Sequence, residues 1–410
     1  MTRHLNPKSV SRDGLSLNLH YISMQIPYWM GFSVLSTFAS VFLLSRGLTD
    51  GQIGMVLAAA NLLAVILQPW VASLADRSIR VTLSQLTGVM ALAMVILAVP
   101  LILLPDLFWP AAILYLLLYT LLMVMQPLTI SLGTFYILRG YPLNFGLARG
   151  IGSLSFAAAS ALGGWLVDRT SATAVPCMVM VVFALLFLAL LGLRTGRDVP
   201  FCGSHPEAAS AKAASPEAAP CSLPVFFRTY KRFILMLAGV ALLFTYHNIL
   251  NNYLYQIMRP LGGTAGDVGT SLSIAAACEL PTMFLFGWLY KRFRCSSLMR
   301  TAALFFTLKS LVILFADQIW IINLAQCLQV FAFALHTAAS VYYTNQVIPQ
   351  KDQVKGQALM TTANTVGGVL GSFLGGQLLT AGVHTMLLAG TILSAIGTLI
   401  VFLTIQEKRS

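Results

Sequence analysis

Long apolar runs and short polar breaks alternate along the chain. Twelve runs reach the length of ~20 mostly apolar residues that a bilayer-spanning helix needs. They lie at about 18–45, 52–75, 81–104, 108–137, 145–167, 172–193, 231–258, 267–290, 298–316, 318–347, 355–381 and 383–405. The first is too long for a cleaved signal peptide, and no small-residue cleavage site followed by a soluble body accompanies it. One stretch breaks the pattern. Residues 196–226, GRDVPFCGSHPEAASAKAASPEAAPCSLPVF, are rich in Ala, Ser and Pro with no apolar period, which predicts a flexible linker. The chain then divides into residues 1–195 with six spans, the linker at 196–226, and residues 227–410 with six more.

The halves resemble each other. IGMVLAAANLLAVILQPWVASLADR (53–77) lies on VGTSLSIAAACELPTMFLFGWLYKR (268–292) without a gap. Gly54 meets Gly269, Leu57 meets Leu272, Ala60 meets Ala275, Leu74 meets Leu289 and Arg77 meets Arg292. LGGWL (162–166) matches LGGQL (374–378). Two copies in one orientation are the parallel repeat of a large class of secondary transporter. The glycine pairs at 163–164, 367–368 and 375–376 are expected to permit close helix packing rather than to bind anything.

Composition agrees with a lipid-embedded chain: 58% of the 410 residues are hydrophobic and 9% are charged, against about 25% charged in soluble proteins. With both termini on one side, the polar breaks on that face hold 21 of the 25 Lys and Arg. The other face holds Arg46, Arg169 and Arg259, and Lys309 lies inside a span. An excess of Lys and Arg in short loops marks the cytoplasmic side, so both termini are expected there. The net charge of +12 is therefore a topology signal. A nucleic-acid footprint needs a basic patch on a folded domain, and the sequence offers none. The six cysteines show no CxxC spacing, which predicts free thiols and neither a disulfide framework nor a zinc site. No Walker-type loop, HExxH or GxSxG is present, so no ATP site, no enzyme and no cofactor is implied.

After the second span stands Ala72-x-x-x-Asp76-Arg77-x-x-Arg80. This resembles the loop signature of the major facilitator superfamily, with Ala72 and Ile79 in place of its two glycines. The second-half counterpart, Gly287-x-x-x-Lys291-Arg292, lacks the acid. AAANLLAVILQPWVASLADR, FGLARGIGSLSFAAAS, ACELP and QCLQVFAFALHTAASVYY are similar to the branch holding lactose permease and the phenylpropionate transporters. The resemblance implies a proton-coupled symporter. It also implies a gating role for Asp76, Arg77 and Arg80, which would hold the cytoplasmic helix ends together in the outward-facing state.

Polar residues inside spans carry the candidate chemistry. A charge at mid-membrane costs ~2.5–3.5 kcal/mol on insertion scales, so such residues usually face a cavity or a partner. Glu279, two residues before Pro281 in the eighth span, is the leading proton carrier, with Lys309 as its expected partner. The branch has an acid and an arginine at those places. Unlike arginine, Lys309 can lose its charge on burial. In the tenth span Gln326, Gln329, Phe333, His336, Ser340 and Tyr343 step by 3 and 4 along one predicted helix face. Histidine as a residue type can titrate near neutrality, which makes His336 the second proton candidate. Gln326 and Gln329 stand where lactose permease has charged residues, with Ala332 in the place of its acid.

Substrate contacts are expected from Arg149, which matches the sugar-coordinating arginine of lactose permease by its flanking Gly and Ala. No acid lies near Thr129, Ser131, Gly133 or Thr134 to serve as that arginine's partner, so galactoside recognition is not implied. Tyr21, Gln25 and Trp29 in the first span and His247, Asn248, Asn251 and Asn252 in the seventh join the list, with Gln326 and Gln329. The expected molecule is all-α: twelve transmembrane helices in two pseudo-symmetric six-helix bundles, the major facilitator fold. It would be a monomer in a bacterial inner membrane, moving a small organic solute by alternating access with proton symport. Proton-driven export of drugs or metabolites by the same fold is the alternative.

Overall fold

A computed structural model describes residues 7–77, 82–103, 108–137, 139, 141, 143–193 and 223–407, nearly all of them helical. Ten helices are long and apolar enough to cross a membrane, and the pair Leu17–Thr37 and Ala39–Ser45, bent by 52°, makes an eleventh span. The remaining predicted run forms the 27-residue helix Gln353–Leu379, whose Gln, Thr, Asn and Gly content keeps it out of that apolar group. The molecule is a multi-pass, all-α membrane protein.

Spans are numbered here in chain order. The first six are span 1 (Pro7–Thr37 and Ala39–Ser45), span 2 (Asp50–Arg77), span 3 (Leu83–Leu103), span 4 (Phe108–Ile137), span 5 (Phe145–Arg169) and span 6 (Ala174–Leu191). The second six are span 7 (Lys231–Asn252 and Leu254–Met258), span 8 (Ala265–Arg292), span 9 (Cys295–Leu314), span 10 (Ile319–Cys327 and Phe333–Val347), span 11 (Gln353–Leu379) and span 12 (Val383–Thr404). Leu223–Thr229 is a short helix whose Phe226 is fully buried. Phe226, the last residue assigned to the linker, thus packs into the body; residues 194–222 lie outside the described ones.

The two sets of six spans meet along two helix pairs, span 5 with span 8 and span 2 with span 11. The pairs are built alike. A Cβ on Gly54 would collide with the Ser372 carbonyl and Gly376, and a Cβ on Gly269 would collide with the Ser160 carbonyl and approach Gly164. The Gly376 notch faces the Asp50 carbonyl, and the Gly164 notch faces the Ala265 carbonyl. Gly54 to Gly269 and Asp50 to Ala265 share the offset that lays 53–77 on 268–292. Ser160 to Ser372 and Gly164 to Gly376 share the offset that lays 162–166 on 374–378. The offsets of the sequence repeat thus recur as equivalent helix crossings. Small residues let the backbones approach where lipid supplies no hydrophobic drive for association.

Span 1 bends at Phe38 and span 7 breaks at Tyr253, which are counterparts under the first of these offsets. In lipid every backbone polar group must find a partner. The Ser40 hydroxyl donates to the Asn252 carbonyl beside the break. Span 10 is interrupted by a 3-10 turn at Leu328–Val330, and the Thr282 hydroxyl donates to the Val330 carbonyl there at 2.8 Å. The continuous face expected from Gln326 to Tyr343 is therefore split in two.

The hydrogen bonds that join the two sets lie toward the face opposite the basic loops. Gln256 donates to Asp50 at 2.9 Å, and Ser273 donates to the Ala157 carbonyl at 2.6 Å. Asp168, at the end of span 5, takes three bonds from the start of span 8: Thr264 Oγ1 at 2.7 Å, Ala265 N–H at 3.0 Å and Gly266 N–H at 2.8 Å. A carboxylate at a helix N-terminus is favoured by both the free N–H groups and the helix dipole. Asp168→Ala is expected to loosen this end. Maleimide labelling of a cysteine introduced at Ser273, applied from that face, should rise several-fold; unchanged labelling would mean the glycine crossings hold the end alone.

Candidate functional site

A cavity of about 430 Å³ opens between the two sets, lined by spans 1, 2, 4 and 5 and by spans 7, 8, 10 and 11. Its walls follow the repeat. Trp29, Phe32 and Ser36 on span 1 have Phe244, His247 and Asn251 as their repeat counterparts on span 7, and all six line the cavity. Arg149, Ser153 and Phe156 on span 5 answer in the same way to Thr361, Thr365 and Gly368 on span 11. Asn61 and Ala64 on span 2 answer to Ala276 and Glu279 on span 8. Shape is thus shared between the halves while charge is not: Glu279 stands opposite an alanine, and Arg149 opposite a threonine. Both ionic groups fall on the span 5–span 8 side, and the span 2–span 11 side is neutral.

Arg149 is held without an acid. Its guanidinium carbon lies 3.8 Å from the Trp29 ring centroid, and Nη1 donates to Ser153 Oγ at 3.1 Å. No ion pair to Arg149, Glu279 or Lys309 occurs among the described residues. Stacking of a guanidinium on indole leaves most of its N–H donors available. Glu279 and Lys309, expected to pair directly, are joined through an amide instead. Lys309 Nζ donates to Gln329 Oε1 at 2.7 Å, and Gln329 Nε2 donates to Glu279 Oε1 at 3.2 Å. Gln329 can do this because it lies in the broken part of span 10, between spans 8 and 9. Lys309 is 2% exposed and lies behind the cavity wall.

The other predicted site residues divide. His247, Asn248, Asn251 and Asn252 line the cavity. His247 stacks on Phe333 with ring centroids 4.8 Å apart and shares a 3.0 Å hydrogen bond with Asn251. Asn252 Nδ2 donates to Ser372 Oγ at 2.9 Å. Four other predicted residues lie off the cavity wall. Tyr21 and Gln25 are buried and off the cavity wall, where they support Trp29. Gln326 is buried and donates to Ser271 Oγ at 3.2 Å. His336 is buried between Phe244 and Phe306 and does not line the cavity. Gln326 and His336 lie on span 10 on either side of the interruption at Leu328–Val330. Asp76 and Arg77 end the span 2 helix, but their side chains and all of Arg80 lie outside the described residues.

Sequence reasoning missed two parts of the wall. Gln126 lines the cavity from span 4, one turn before the stretch searched for an acid. Asn364, flanked by Thr361 and Thr365, lines it from span 11. The signal was present as a polar stripe in a run already marked as a span.

Comparisons with known proteins place this geometry. The model of the MFS_1-like family matches residues 21–388. The maltose permease of Geobacillus stearothermophilus is 25% identical over 272 residues, covering 65% of this chain and 64% of the permease. The match thus spans less than two thirds of that relative's own length. Among solved structures, the nucleoside transporter NupG superposes with TM-score 0.76 at 14% identity, over 96% of this chain and 100% of that one. A bacterial homologue of the human lysosomal transporter Spinster, inward-facing and unoccupied, superposes with TM-score 0.71 at 16% identity, over 98% of each chain. The relatives are transporters, and the chain is not an enzyme. The family match over most of its length, with the paired six-span architecture, makes the chain a member of the MFS_1-like family of major facilitator transporters.

Proposed function

We propose that the protein is a proton symporter that moves a small polar organic solute by alternating access. The observation that carries this reading is the asymmetry of the cavity. Its walls repeat across the two halves, yet a guanidinium from span 5 and a carboxylate from span 8 face it, and neither is in an ion pair among the described residues. Sites at the interface of transporter repeats serve both substrate and coupling ion. Glu279 is the proton carrier in this reading and Arg149 the solute contact. The neutral amides Asn61, Gln68, Asn251 and Asn364 and the rings of Trp29 and Phe333 supply hydrogen bonds and flat apolar surface.

With the basic loops in the cytoplasm, the bonds between halves close the outer side, which corresponds to an inward-facing state of a bacterial inner-membrane protein. The maltose and nucleoside specificities of the relatives favour a hydroxyl-rich solute as the first to be tried. The test is a melting-temperature screen of the purified protein against maltose, nucleosides and aromatic acids. A solute of the cavity should stabilise the wild-type protein by mass action and leave Arg149→Gln unmoved. Stabilisation of both proteins alike would place the solute elsewhere.

A further inference from the structure

From Trp29 in the cavity wall, span 1 carries a line of three hydrogen-bonded side chains back into the buried body. Trp29 Nε1 donates to Gln25 Oε1 at 2.8 Å, Gln25 Nε2 donates to Tyr21 Oη at 2.9 Å, and Tyr21 Oη donates to the Thr129 carbonyl of span 4 at 3.2 Å. The residues are four apart, so they share one face of the helix. They are 0%, 4% and 9% exposed from Tyr21 to Trp29. The outer end of the line is the indole on which the Arg149 guanidinium lies.

Two glycines make the space. A Cβ on Gly133 of span 4 would collide with the Tyr21 hydroxyl, and a Cβ on Gly152 of span 5 would collide with the Trp29 ring. Gly152 is one residue from Ser153, the other Arg149 contact. Every donor in the line has one acceptor, and each step leads to the next, so the indole is fixed in rotation as well as in position. An indole with an unsatisfied buried N–H would lose that definition.

We infer that Tyr21, Gln25 and Trp29 are a positioning relay that sets the Arg149 guanidinium in the cavity, in place of a carboxylate partner. A planar ring fixes the plane of the guanidinium with no acid in hydrogen-bond contact, so its donors stay open toward the cavity that it shares with Glu279. The geometry would thus present an oriented cation to a solute. This inference rests on the proposed role of Arg149 only for its consequence; the relay itself is read without any solute.

Phenylglyoxal, which forms adducts with accessible guanidinium groups, is the probe. The purified full-length protein is treated and the adduct at Arg149 is quantified by mass spectrometry. In Gln25→Leu the tether of Trp29 is gone, and modification at Arg149 should quicken about fivefold, the shift that loss of one net hydrogen bond of ~1 kcal/mol gives. Trp29→Phe keeps a ring but has no N–H, and should quicken modification similarly. The double variant should go no further than the faster single one, because both break the same line. Arg46, buried near the far end of span 1, is the internal control and should not change. Equal rates at Arg149 in wild type and both variants would overturn the relay, as would equal acceleration at Arg46, which reports general loosening. Solute binding by Arg149→Lys at full affinity would remove the solute role of Arg149 and leave the modification rates as they are.

Discussion

Proteoliposomes carrying Glu279→Gln protein are expected to lose uphill solute accumulation almost entirely while keeping solute exchange. The glutamine is nearly isosteric with the protonated acid, so it fills the same space and holds the state in which the carrier has its proton. It cannot release that proton, and net flux driven by a proton gradient needs release. Exchange of solute for solute needs only the loaded protein to reorient. The structure adds a reason to expect the variant to fold. Glu279 meets Lys309 only through Gln329, so Lys309 keeps its 2.7 Å bond to the Gln329 carbonyl oxygen when the acid is replaced. A directly paired lysine would be left buried and alone, at a cost of about 3–5 kcal/mol. Undiminished uphill uptake by the variant would remove Glu279 from coupling. Loss of folded protein, restored by neutralising Lys309 as well, would show a structural role instead.

Arg149→Lys should weaken solute binding about tenfold or more, with the protein otherwise intact. Tenfold corresponds to ~1.4 kcal/mol, just under the ~1.5–3 kcal/mol of a hydrogen bond to a charged group. Lysine keeps the charge but loses the planar fork and its fit to the Trp29 face. Its ammonium cannot stack in the same plane, so the donors would point elsewhere. The measurement is solute affinity of the two purified proteins. Equal affinity would make Arg149 a charge at the cavity edge with no oriented contact to solute.

The sequence made the repeat and the crossing glycines legible, because each is a regular pattern in lipid: offset and small residues. Gly54 with Gly269 was matched as letters, and the two prove to occupy equivalent crossings. The cavity was half legible. Glu279 stood out since a charge inside an apolar run is costly, Arg149 by the resemblance of its flanking residues, and His247 and Asn251 as a polar cluster. What failed was the assumption of unbroken helices. Gln326 bonds to Ser271 and His336 is buried, one before and one after a turn at Leu328–Val330 that no Pro or Gly in that stretch announces. Tyr21 and Gln25 show the other limit: helix periodicity puts them on the face of Trp29 but does not say how deep that face lies. The Glu279–Lys309 partnership was likewise read from opposite charges and from the acid and arginine of the resembling branch, which could not foresee an amide between them.

The most direct test of proton coupling at Glu279 uses proteoliposomes filled with a pH-sensitive dye, with no gradient imposed and with the solute selected by the melting screen added outside. Entry of solute should acidify the lumen when wild-type protein is present, and lumenal pH should stay flat with Glu279→Gln although labelled solute still exchanges. Solute entering through the wild-type protein with no lumenal acidification, or equal acidification by the variant, would contradict proton symport through this carboxylate.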